Sequence, residues 1–536
     1  MRPAGRGEHD SLYFTYPQFA PPAAEARGTG PVPVAIVGAG PVGLTAALAL
    51  AAEGVASVLI ERKPSFNDGS RAICIARQSM YILESLGAVG PFLDKALPWT
   101  TGRSFYRGRQ ILEFHMPDAP GEKYRPMYNL QQQYIEQYLW QAVARNPLIE
   151  TRWQTGVSAL AQDADGVTLT LEDPRGSYDL RAGWALAADG ARSTLRGLCG
   201  LRLAGENYEG RYVIADVRMA HDYPTMRRAL FDPACRPGGT VLIHRQPEDI
   251  WRIDYQLRPG ESAEEATRES EVRASVAAVL RDIGHDGPWE LEWWSVYSAN
   301  TLALDDYRAG RVFFVGDSAH IVPIFGVRGL NNGLADAQNI GWKLGHVLTG
   351  KAGAALLDSY TPERRGATLD VFANAAKSTR FMTPPSYGWQ VMRDAALSLA
   401  LDFPFAGELA NPRQMTPYTY ADSPLTEPDD PAFAAGPRPG AVAADPLLSD
   451  GGHLSDRLGG VVLLAFGDLP AGLALPGSVR VLALPEEGSA AEAFGAGPGT
   501  AYLVRPDMHV AGRWHRAERN AMEAAIARLL GRGGVQ

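Results

Sequence analysis

One uncharged segment near the start of the chain restricts the folds that this sequence can adopt. Residues 28–52 contain no charged side chain in 25 positions, which is long enough to cross a bilayer. At its centre, however, the segment reads Gly38-Ala-Gly40-Pro-Val-Gly43, and such a sequence would break an isolated membrane helix. We therefore predict a buried strand, a glycine turn and a buried helix instead of a membrane span.

The elements predicted around this turn form a βαβ unit. Apolar patterning predicts a strand over 32–37, a helix over 44–53 and a second strand over 56–60, and Glu61 ends that strand 18 residues after the last glycine. Glycines let a backbone approach a pyrophosphate at a helix N-terminus, and a carboxylate there accepts hydrogen bonds from both ribose hydroxyls. The unit predicts a dinucleotide site without distinguishing NAD from FAD.

Two later segments each place an aspartate after a buried strand. Residues 184–190 read Trp-Ala-Leu-Ala-Ala-Asp-Gly, and residues 311–320 read Arg-Val-Phe-Phe-Val-Gly-Asp-Ser-Ala-His. An aspartate at the end of a buried strand, followed by a helix N-terminus, suits a polyol chain and an anionic ring edge. Taken singly, each segment is equally compatible with an ordinary turn.

In this order and spacing, the three motifs resemble those of the class A FAD-dependent monooxygenases, the aromatic-ring hydroxylases with the para-hydroxybenzoate hydroxylase fold. The resemblance covers residues 32–375. Residues 503–507 (Leu-Val-Arg-Pro-Asp) are similar to the thioredoxin-like tail of phenol, 3-(3-hydroxyphenyl)propionate and polyketide hydroxylases. The implied fold class is α/β, with a Rossmann-like FAD-binding βαβ domain, an inserted antiparallel β-sheet substrate domain and a C-terminal thioredoxin-like α/β module.

The resemblance also implies which residues contact FAD. The implied contacts are with the pyrophosphate (Gly38, Gly40, Gly43), the adenosine ribose (Glu61, with Arg62 beside it), the phosphates (Arg71), the ribityl chain (Gln132, Asp317), adenine (Val157), both FAD and nicotinamide (Asp189, Gly190) and the flavin pyrimidine (Leu330, Asn331), with Gly316, Pro323 and Gly329 in the loops that approach FAD. The family commonly has two prolines after the histidine of the third motif, whereas Ile324 stands at the second of these positions here.

The reaction implied by the resemblance uses NADH or NADPH as co-substrate. Hydride transfer to FAD, formation of a flavin hydroperoxide with O2, and oxygen transfer to an electron-rich phenolic ring follow in turn. Residues 495–499 are glycine-rich but lack a strand–helix context, so no second dinucleotide site is predicted and the nicotinamide must bind transiently over FAD. The protein has to exclude water from the reacting groups.

Candidate groups for the proton chemistry lie in the segment between the second and third motifs. A phenolate is attacked more easily than a phenol, so we expect a base or proton relay. Period-two patterning over 211–257 predicts an antiparallel sheet, and the candidates within or near it are His244, Arg245, Arg252, Asp254, Tyr255 and Tyr297. Alternation puts Arg252 and Asp254 on one face and Tyr255 on the other. The simpler interpretations are a solvated pair for Arg252 and Asp254 and a hydrogen-bonded structural residue for His244.

The remaining patterning predicts the domain organisation. The predicted parts are an irregular N-terminal arm (1–30), a discontinuous FAD-binding domain (31–205 and 300–375), a substrate-binding sheet domain (206–299), a helical segment (376–422), a proline-rich linker (423–450) and the thioredoxin-like module (451–536). Further predicted elements are helices over 77–86, 132–144, 333–348 and 516–530 and strands over 311–315, 461–466, 480–484 and 501–504. The module contains no cysteine, which excludes thiol redox chemistry and favours packing or contact within a homodimer.

The composition argues against several other classes of protein. Lysine and arginine number 51 against 60 acidic residues, giving a net charge of −9 and no basic excess for nucleic acid. Three widely spaced cysteines predict neither disulfides nor a metal site, and the charged N-terminus is unlike a secretory signal, so we expect a cytoplasmic protein that binds no membrane. Two alternatives stay open, namely a reductase or halogenase of the same superfamily and a non-catalytic flavin-containing protein that binds an aromatic ligand. The Trp-x-Trp-x-Ile-Pro segment of halogenases is absent from the sequence.

Overall fold

The computed structural model describes residues 1–28, 30–258, 260–323, 326–411 and 416–532. Its strands are β1 (Val32–Val37), β2 (Ser57–Ile60), β3 (Cys74–Ala76), β4 (Leu97–Trp99), β5 (Thr101–Tyr106), β6 (Arg109–His115), β7 (Met127–Asn129), β8 (Ile149–Arg152), β9 (Gly156–Gln162), β10 (Val167–Asp173), β11 (Gly176–Ala187), β12 (Ala204–Arg218), β13 (Arg227–Phe231), β14 (Thr240–Arg245), β15 (Ile250–Gln256), β16 (Glu290–Ala303), β17 (Arg308–Ala309), β18 (Val312–Phe314), β19 (His320–Ile321), β20 (Val461–Phe466), β21 (Val479–Leu484), β22 (Thr500–Val504) and β23 (Val510–Trp514). Its α-helices are α1 (Pro41–Ala52), α2 (Arg77–Ser85), α3 (Gly90–Lys95), α4 (Gln132–Ala144), α5 (Thr194–Leu198), α6 (Ala263–Ala266), α7 (Glu269–Asp282), α8 (Gly329–Leu348), α9 (Tyr360–Met382), α10 (Tyr387–Ala400), α11 (Pro404–Gly407), α12 (Ser489–Phe494) and α13 (Arg519–Leu529).

The first sheet is built around parallel strands in the order β18-β11-β1-β2-β8. These strands are almost wholly apolar because helices or further chain cover both of their faces. Helix α8 packs closely on α1, and Gly341 and Gly345 permit this approach because a Cβ at either position would overlap α1 or the residue after it. The βαβ unit predicted from the glycine turn is confirmed.

The second sheet has the order β19-β16-β12-β15-β14-β13-β5-β6 and is antiparallel apart from the β13–β5 pair. Its outward face is an apolar core covered by α7, with Val272 and Val276 among the covering side chains. Its other face is polar around Arg252, which bonds to the loop before β3, and apolar at Tyr212 and Leu242, which cluster with side chains of α9 and α10; the part around Arg252 is called the polar face below. Strands β5 and β6 belong to this sheet although the predicted FAD-binding domain included all of 31–205. Strand β6 pairs with β5, and β5 pairs with β13 more than a hundred residues away, a pairing of which local patterning carries no sign.

The C-terminal part is a four-stranded sheet in the order β21-β20-β22-β23, followed by α13. The predicted proline-rich linker before it contains no helix or strand in the structure, but it is fixed in place. Its backbone donates hydrogen bonds from Gly440 to Val510 and from Glu427 to Ala511, both at 2.7 Å. The predicted helix over 333–348 begins earlier, at Gly329, because tertiary contacts hold a Gly- and Asn-rich first turn of low helix propensity.

Candidate functional site

The parallel strands of the first sheet end at a common edge, and the predicted cofactor segments begin there. Gly38 directly follows β1, Glu61 directly follows β2, and Asp189 and Gly316 come two residues after β11 and β18. Ligands of parallel α/β sheets bind in the crevice beyond the carboxyl ends of the strands. The structure therefore brings four segments that are distant in sequence to one candidate cofactor site.

The three glycines of the first turn serve two different purposes. Gly38 has a φ of +106°, and a Cβ there would overlap the carbonyl oxygen of Ala188, while a Cβ on Gly43 would overlap Gly38. Gly40 differs, because its φ of −73° suits any residue and its Cβ would lie 3.8 Å from Nδ2 of Asn67. The fold does not need glycine at position 40, and the open space at the N-terminus of α1 suits an anionic ligand.

Glu61 closes the turn from the side of β2. Its carboxylate accepts two backbone N–H hydrogen bonds, one of them from Ala39 in the glycine turn at 2.8 Å. Arg62 is exposed and borders Gly156, the residue before Val157 on β9. The three residues predicted to hold the adenosine end of the cofactor are therefore neighbours.

Asp189 and Gly190 lie opposite the glycine turn. Oδ2 of Asp189 accepts a hydrogen bond from the N–H of Leu195 at 3.1 Å, whereas its buried Oδ1 has no hydrogen-bond partner in the described part of the chain. Burial raises the pKa of this carboxyl, and a hydrogen bond from Ser193 opposes the rise. Gly190 has a φ of +77° and open space around its Cβ position. A ligand with hydroxyl or N–H donors would satisfy the orphaned oxygen.

The loop after β18 is held by a buried carboxylate on α8. Gly316 has a φ of +58° and donates its N–H to Oδ2 of Asp336 at 2.9 Å. The next side chain, Asp317, is accessible to solvent yet surrounded by protein, and this burial raises the pKa of its carboxyl against the opposing charges of His320 and Arg71. A polyol that binds in the crevice would find in this exposed carboxylate an acceptor for its hydroxyl groups.

Arg71 and Gln132 form another wall of the crevice. Oε1 of Gln132, at the start of α4, accepts hydrogen bonds from the N–H groups of Arg71 and Ala72, both at 3.2 Å. Nε2 of Gln132 donates to the buried Glu136 at 2.8 Å. The guanidinium of Arg71 is exposed, and its charge acts on both Asp317 and Tyr297. Gln132 thus fixes the backbone from which Arg71 reaches toward the crevice.

The first turn of α8 completes the edge of the site. Asn331 accepts a hydrogen bond from the N–H of Ala76 at 2.8 Å, which ties α8 to the end of β3. Gly329 and Leu330 begin the helix, and Pro323 is buried before it. Ile324, the departure from the family pattern, lies outside the described residues.

The polar face of the second sheet carries a buried ion pair. Arg252 donates two hydrogen bonds to Asp216, at 2.9 and 3.0 Å, and others to the carbonyl oxygens of Ser70 and Arg71. Arg252 is 1% exposed and Asp254 is 8% exposed. The interpretation of Arg252 and Asp254 as a solvated pair is therefore wrong, because the sheet packs against the first one and Arg252 finds its partner on β12.

Asp254 and His244 are buried on the same face with atoms left unpaired. Oδ1 of Asp254 and Nδ1 of His244 have no hydrogen-bond partner among the described residues, so His244 is not the satisfied structural residue of the simpler interpretation. Burial raises the pKa of Asp254 to about 7 against the opposing charges of Arg252 and Arg227. Burial, with the same two arginines, lowers the pKa of His244 to about 3. Asp254 is thus the group of this face that can gain or lose a proton near neutral pH.

The three remaining candidates for the proton chemistry do not all lie on the polar face of the second sheet. Strand alternation turns Arg245 and Tyr255 to the opposite face, where Arg245 lies over the ring of Trp251 at 5.6 Å and Tyr255 is part of the core under α7. Tyr297 is on the polar face, and its hydroxyl donates to the carbonyl oxygen of Val322 at 3.3 Å. Burial and the charge of Asp317 raise the pKa of the Tyr297 hydroxyl.

A cavity of about 1280 Å³ lies beside the first turn of α8. Its walls include Ala76, Phe114, Met116, Met127, Asn331 and Tyr418. The short strand pair β3–β7 lies between this cavity and the polar face. At one end of the pair Ala76 and Met127 are opposite each other and line the cavity, and at the other end Cys74 is opposite Asn129. The charges of Arg252 and Asp254 act on the Cys74 thiol, whose pKa burial raises to about 12.

Several residues of the site were not singled out from the sequence. They are Asn67, Cys74, Glu136, Asp216, Arg227 and Asp336. Asp216 carried a detectable signal, since it is a charged residue within the apolar run 213–217 of β12, but its partner could not be read from local pattern. Across the described residues, no helix has the length and apolar character needed to cross a membrane, and no group of three His, Cys, Asp or Glu side chains is arranged to hold a metal.

A parallel sheet whose strand ends carry a glycine turn, an acid and two aspartate loops defines an α/β dinucleotide-binding protein. Residues 31–375 match the family described as FAD binding domain, and the chain belongs to that family. FAD is therefore the cofactor of this sheet. The open space at Gly40 and the orphaned Oδ1 of Asp189 fit the pyrophosphate and polyol of such a ligand.

Curated relatives with similar sequences are hydroxylases. The chain is 31% identical over 373 residues to the 3-(3-hydroxy-phenyl)propionate/3-hydroxycinnamic acid hydroxylase of Klebsiella pneumoniae (strain 342), covering 69% of this chain and 66% of that protein. It is 30% identical over 369 residues to the enzyme of the same description from Mycolicibacterium smegmatis, covering 68% and 64%. The chain thus matches slightly less than two thirds of the length of these relatives.

Solved structures extend the similarity to nearly the whole fold. The flavin-dependent monooxygenase PieE, in complex with FAD and substrate, aligns with a TM-score of 0.76 at 25% identity over 94% of this chain and 100% of that one. Aklavinone-11 hydroxylase, in a ternary complex with FAD and aklavinone, aligns with a TM-score of 0.75 at 26% identity over 94% and 99%. The predicted resemblance to flavin monooxygenases with the para-hydroxybenzoate hydroxylase fold is confirmed.

Proposed function

We propose that this protein is an FAD-dependent monooxygenase that hydroxylates an electron-rich phenolic ring with NADH or NADPH and O2. The observation that carries the proposal is the position of a buried, titratable polar face and a large cavity on either side of β3–β7, next to the FAD-binding edge of the first sheet. The hydroxylase relatives and the FAD-bound monooxygenase structures support it. FAD, when bound, accepts the hydride and activates O2 for transfer to the ring.

The residues at the strand ends have separate roles in holding FAD. We assign the pyrophosphate to the N-terminus of α1 at Gly40, the ribose to Glu61, and the ribityl chain to Asp317 and Gln132. The exposed carboxylate of Asp317 is open to the hydroxyl groups of a ligand, and a hydrogen bond to a charged acceptor is stronger than one between neutral groups. The first turn of α8, at Leu330 and Asn331, would offer its backbone N–H groups to the flavin pyrimidine.

Asp254 is our candidate for the group that manages the substrate proton. Asp254 does not line the cavity, so it would receive the phenolic proton through a relay across β3–β7 and not from the ring directly. Its pKa of about 7 lets it accept and return that proton within the operating range of an ordinary enzyme. Arg227 and Arg252 favour the charged form of Asp254, so they would stabilise the state reached when the proton has left. Arg245 and Tyr255 have no part in this proposal, since they lie on the other face of the sheet.

The cavity beside α8 is our candidate for the substrate site. It exceeds the roughly 300–1,000 Å³ of common small-molecule pockets, and apolar side chains such as Phe114, Met116 and Met127 line part of it. Such walls suit an aromatic ligand and keep water from the reacting centre. Asn331 and Ala76 line the cavity where it approaches the flavin-facing turn of α8.

The experiment that tests the proposal measures NADH and NADPH consumption with a panel of phenols, in the presence and absence of O2. We expect oxidation that depends on both FAD and phenol, with a product carrying one added oxygen atom by mass spectrometry. A reductase of the same fold would oxidise the nicotinamide without oxygenating the ring, a halogenase would add a halogen, and a binding protein would show no turnover with any phenol.

Three further proposals concern the whole chain. The parallel β20–β21 pair followed by antiparallel β22–β23 and α13 supports a thioredoxin-like C-terminal module. Side chains of Tyr387 and Phe405, 81% and 70% exposed, support a homodimer contact at α10–α11, which light scattering of Phe405→Ser would test. Three cysteines without disulfides support a cytoplasmic location.

A further inference from the structure

The turn between β22 and β23 of the C-terminal module is charged and yet buried. Arg505 and Asp507 are each 2% exposed, and His509 is 7% exposed. Turns that join two strands of a peripheral sheet are normally solvated, and burial of two charges is costly unless both are fully paired. The partners of this turn lie outside the module, on helices of the first sheet.

Arg505 and Asp507 bond to both α9 and α8. Arg505 donates two parallel hydrogen bonds to the carboxylate of Glu363 on α9, at 2.6 and 2.8 Å. Asp507 accepts hydrogen bonds from Asn339 at 3.2 Å and Trp342 at 3.1 Å, both on α8. The carboxylate pKa values of Glu363 and Asp507 are lowered chiefly by Arg505 against the effect of burial, so both acids stay charged in this interior.

A second set of bonds leads from this cluster to the loop after β18. The guanidinium of Arg505 lies 5.0 Å from the ring centre of Tyr420, and the hydroxyl of Tyr420 accepts a hydrogen bond from Arg364 at 2.7 Å. Arg364 in turn donates to Oδ1 of Asp336 at 2.6 Å. The other oxygen of Asp336 holds the N–H of Gly316 at 2.9 Å and Nε2 of His320 at 2.7 Å.

We propose that Arg505 is a positioning residue for the loop 316–320, acting through Tyr420, Arg364 and Asp336. This inference rests on the proposed contact of Asp317 with FAD, because Asp317 is the residue after the Gly316 that Asp336 holds. Each member of the chain is buried, and a buried charge cannot be left without its partner, so a disturbance at one end is passed on as a rearrangement of the next pair. The C-terminal module thereby helps to set the affinity of the protein for FAD.

The test compares FAD dissociation constants of the full-length protein, measured from flavin fluorescence, for three variants. Tyr420→Phe removes one hydroxyl from the chain of contacts, and Arg505→Met removes the charge. We expect FAD binding to weaken by about threefold for the first and about tenfold for the second, within the range that such networks transmit. Arg513→Met is the matched control, since Arg513 is a buried arginine of the neighbouring strand that pairs with Asp429 in the proline-rich segment. We expect its FAD affinity to equal that of the parent protein.

A double-mutant cycle separates positioning from loss of stability. If Arg505 acts through the loop, the effect of Arg505→Met on FAD affinity disappears when Asp317→Ala is already present. Fully additive effects, or an unchanged affinity in both Tyr420→Phe and Arg505→Met, would overturn the inference, and Tyr420→Phe alone decides if Arg505→Met does not fold. An unchanged affinity in Asp317→Ala by itself would instead overturn the proposed FAD contact.

Discussion

At the scale of single residues, the glycine turn after β1 contains two glycines that the fold needs, Gly38 and Gly43, and one that it does not, Gly40. Gly38 has a positive φ and no room for a Cβ, whereas Gly40 has an ordinary φ and open space beside it. The sequence motif singled out both positions but could not separate their purposes, because the distinction depends on where Ala188, 150 residues away, brings its carbonyl oxygen.

We predict that Gly40→Ala weakens FAD binding by at least about tenfold while the protein without FAD loses no more than about 1 kcal/mol of stability, the cost of alanine at a helix N-cap. The added methyl group occupies space that the pyrophosphate requires. Gly38→Ala is the contrast, since it strains the turn itself and should lower the melting temperature without FAD. Equal loss of stability in the two variants would contradict the assignment.

Asp317→Ala should weaken FAD binding by about ten- to a hundredfold, because a hydrogen bond to a charged group contributes about 1.5–3 kcal/mol. Fluorescence titration with FAD measures the change. Asp305→Ala is the control, since the Asp305 side chain is 90% exposed and pairs with Arg365 at the surface. A variant of Asp317 that retains FAD as well as this control would remove Asp317 from the site.

At the scale of elements, the alternation of β15 predicted which side chains share a face but not which face is buried. The period-two pattern separates Arg252 and Asp254 from Tyr255, as the structure has it. Burial of the polar side follows from packing of the second sheet against β3 and the loop before it, and the pairing of Arg252 with Asp216 depends on strand register. Neither is contained in a local pattern, so the sequence favoured a solvated pair.

The buried Asp254 predicts a specific dependence of stability on pH. Its folded-state pKa of about 7 lies above the ordinary value of about 3.9, so the folded protein holds a proton that the unfolded chain has released between these values. The contribution of Asp254 to stability is therefore fully retained below pH 4 and falls as the pH rises toward 7.

Asp254→Asn should accordingly gain stability over the parent protein as the pH is raised, by up to about 4 kcal/mol at pH 8 and by little at pH 4. Urea unfolding of both proteins at several pH values measures the difference. A difference that does not change between pH 4 and pH 8 would show that Asp254 is ionised throughout. The same substitution should remove any transition near pH 7 from kcat/KM.

At the scale of the whole molecule, the motif order predicted an α/β chain with an inserted sheet, while the contacts between its parts could not be predicted. Strands β5 and β6 join the second sheet from within the predicted FAD-binding domain. The proline-rich segment, which composition favours as a linker, is bonded along β23. Buried charges such as Glu363 and Arg505 meet only after the separate elements have formed.

These buried contacts between the parts predict that the chain unfolds as one unit rather than module by module. Loss of the C-terminal sheet would remove Arg505 from the carboxylate of Glu363 and Asp507 from Asn339 and Trp342, and breaking such buried pairs is strongly unfavourable. The change in flavin fluorescence that reports FAD release and the loss of far-ultraviolet circular dichroism should therefore occur at the same temperature. Two well-separated transitions would contradict the coupling, since multi-domain chains with weak interfaces unfold in steps.

Isotopically labelled dioxygen shows whether this fold directs FAD chemistry to an aromatic ring. The protein is reconstituted with FAD and supplied with NADH or NADPH, labelled O2 and the phenol that most stimulates nicotinamide oxidation. We expect a hydroxylated product in which one labelled oxygen atom is retained, with the other atom in water. Nicotinamide oxidation that yields only hydrogen peroxide for every phenol, with no labelled product, would contradict this expectation.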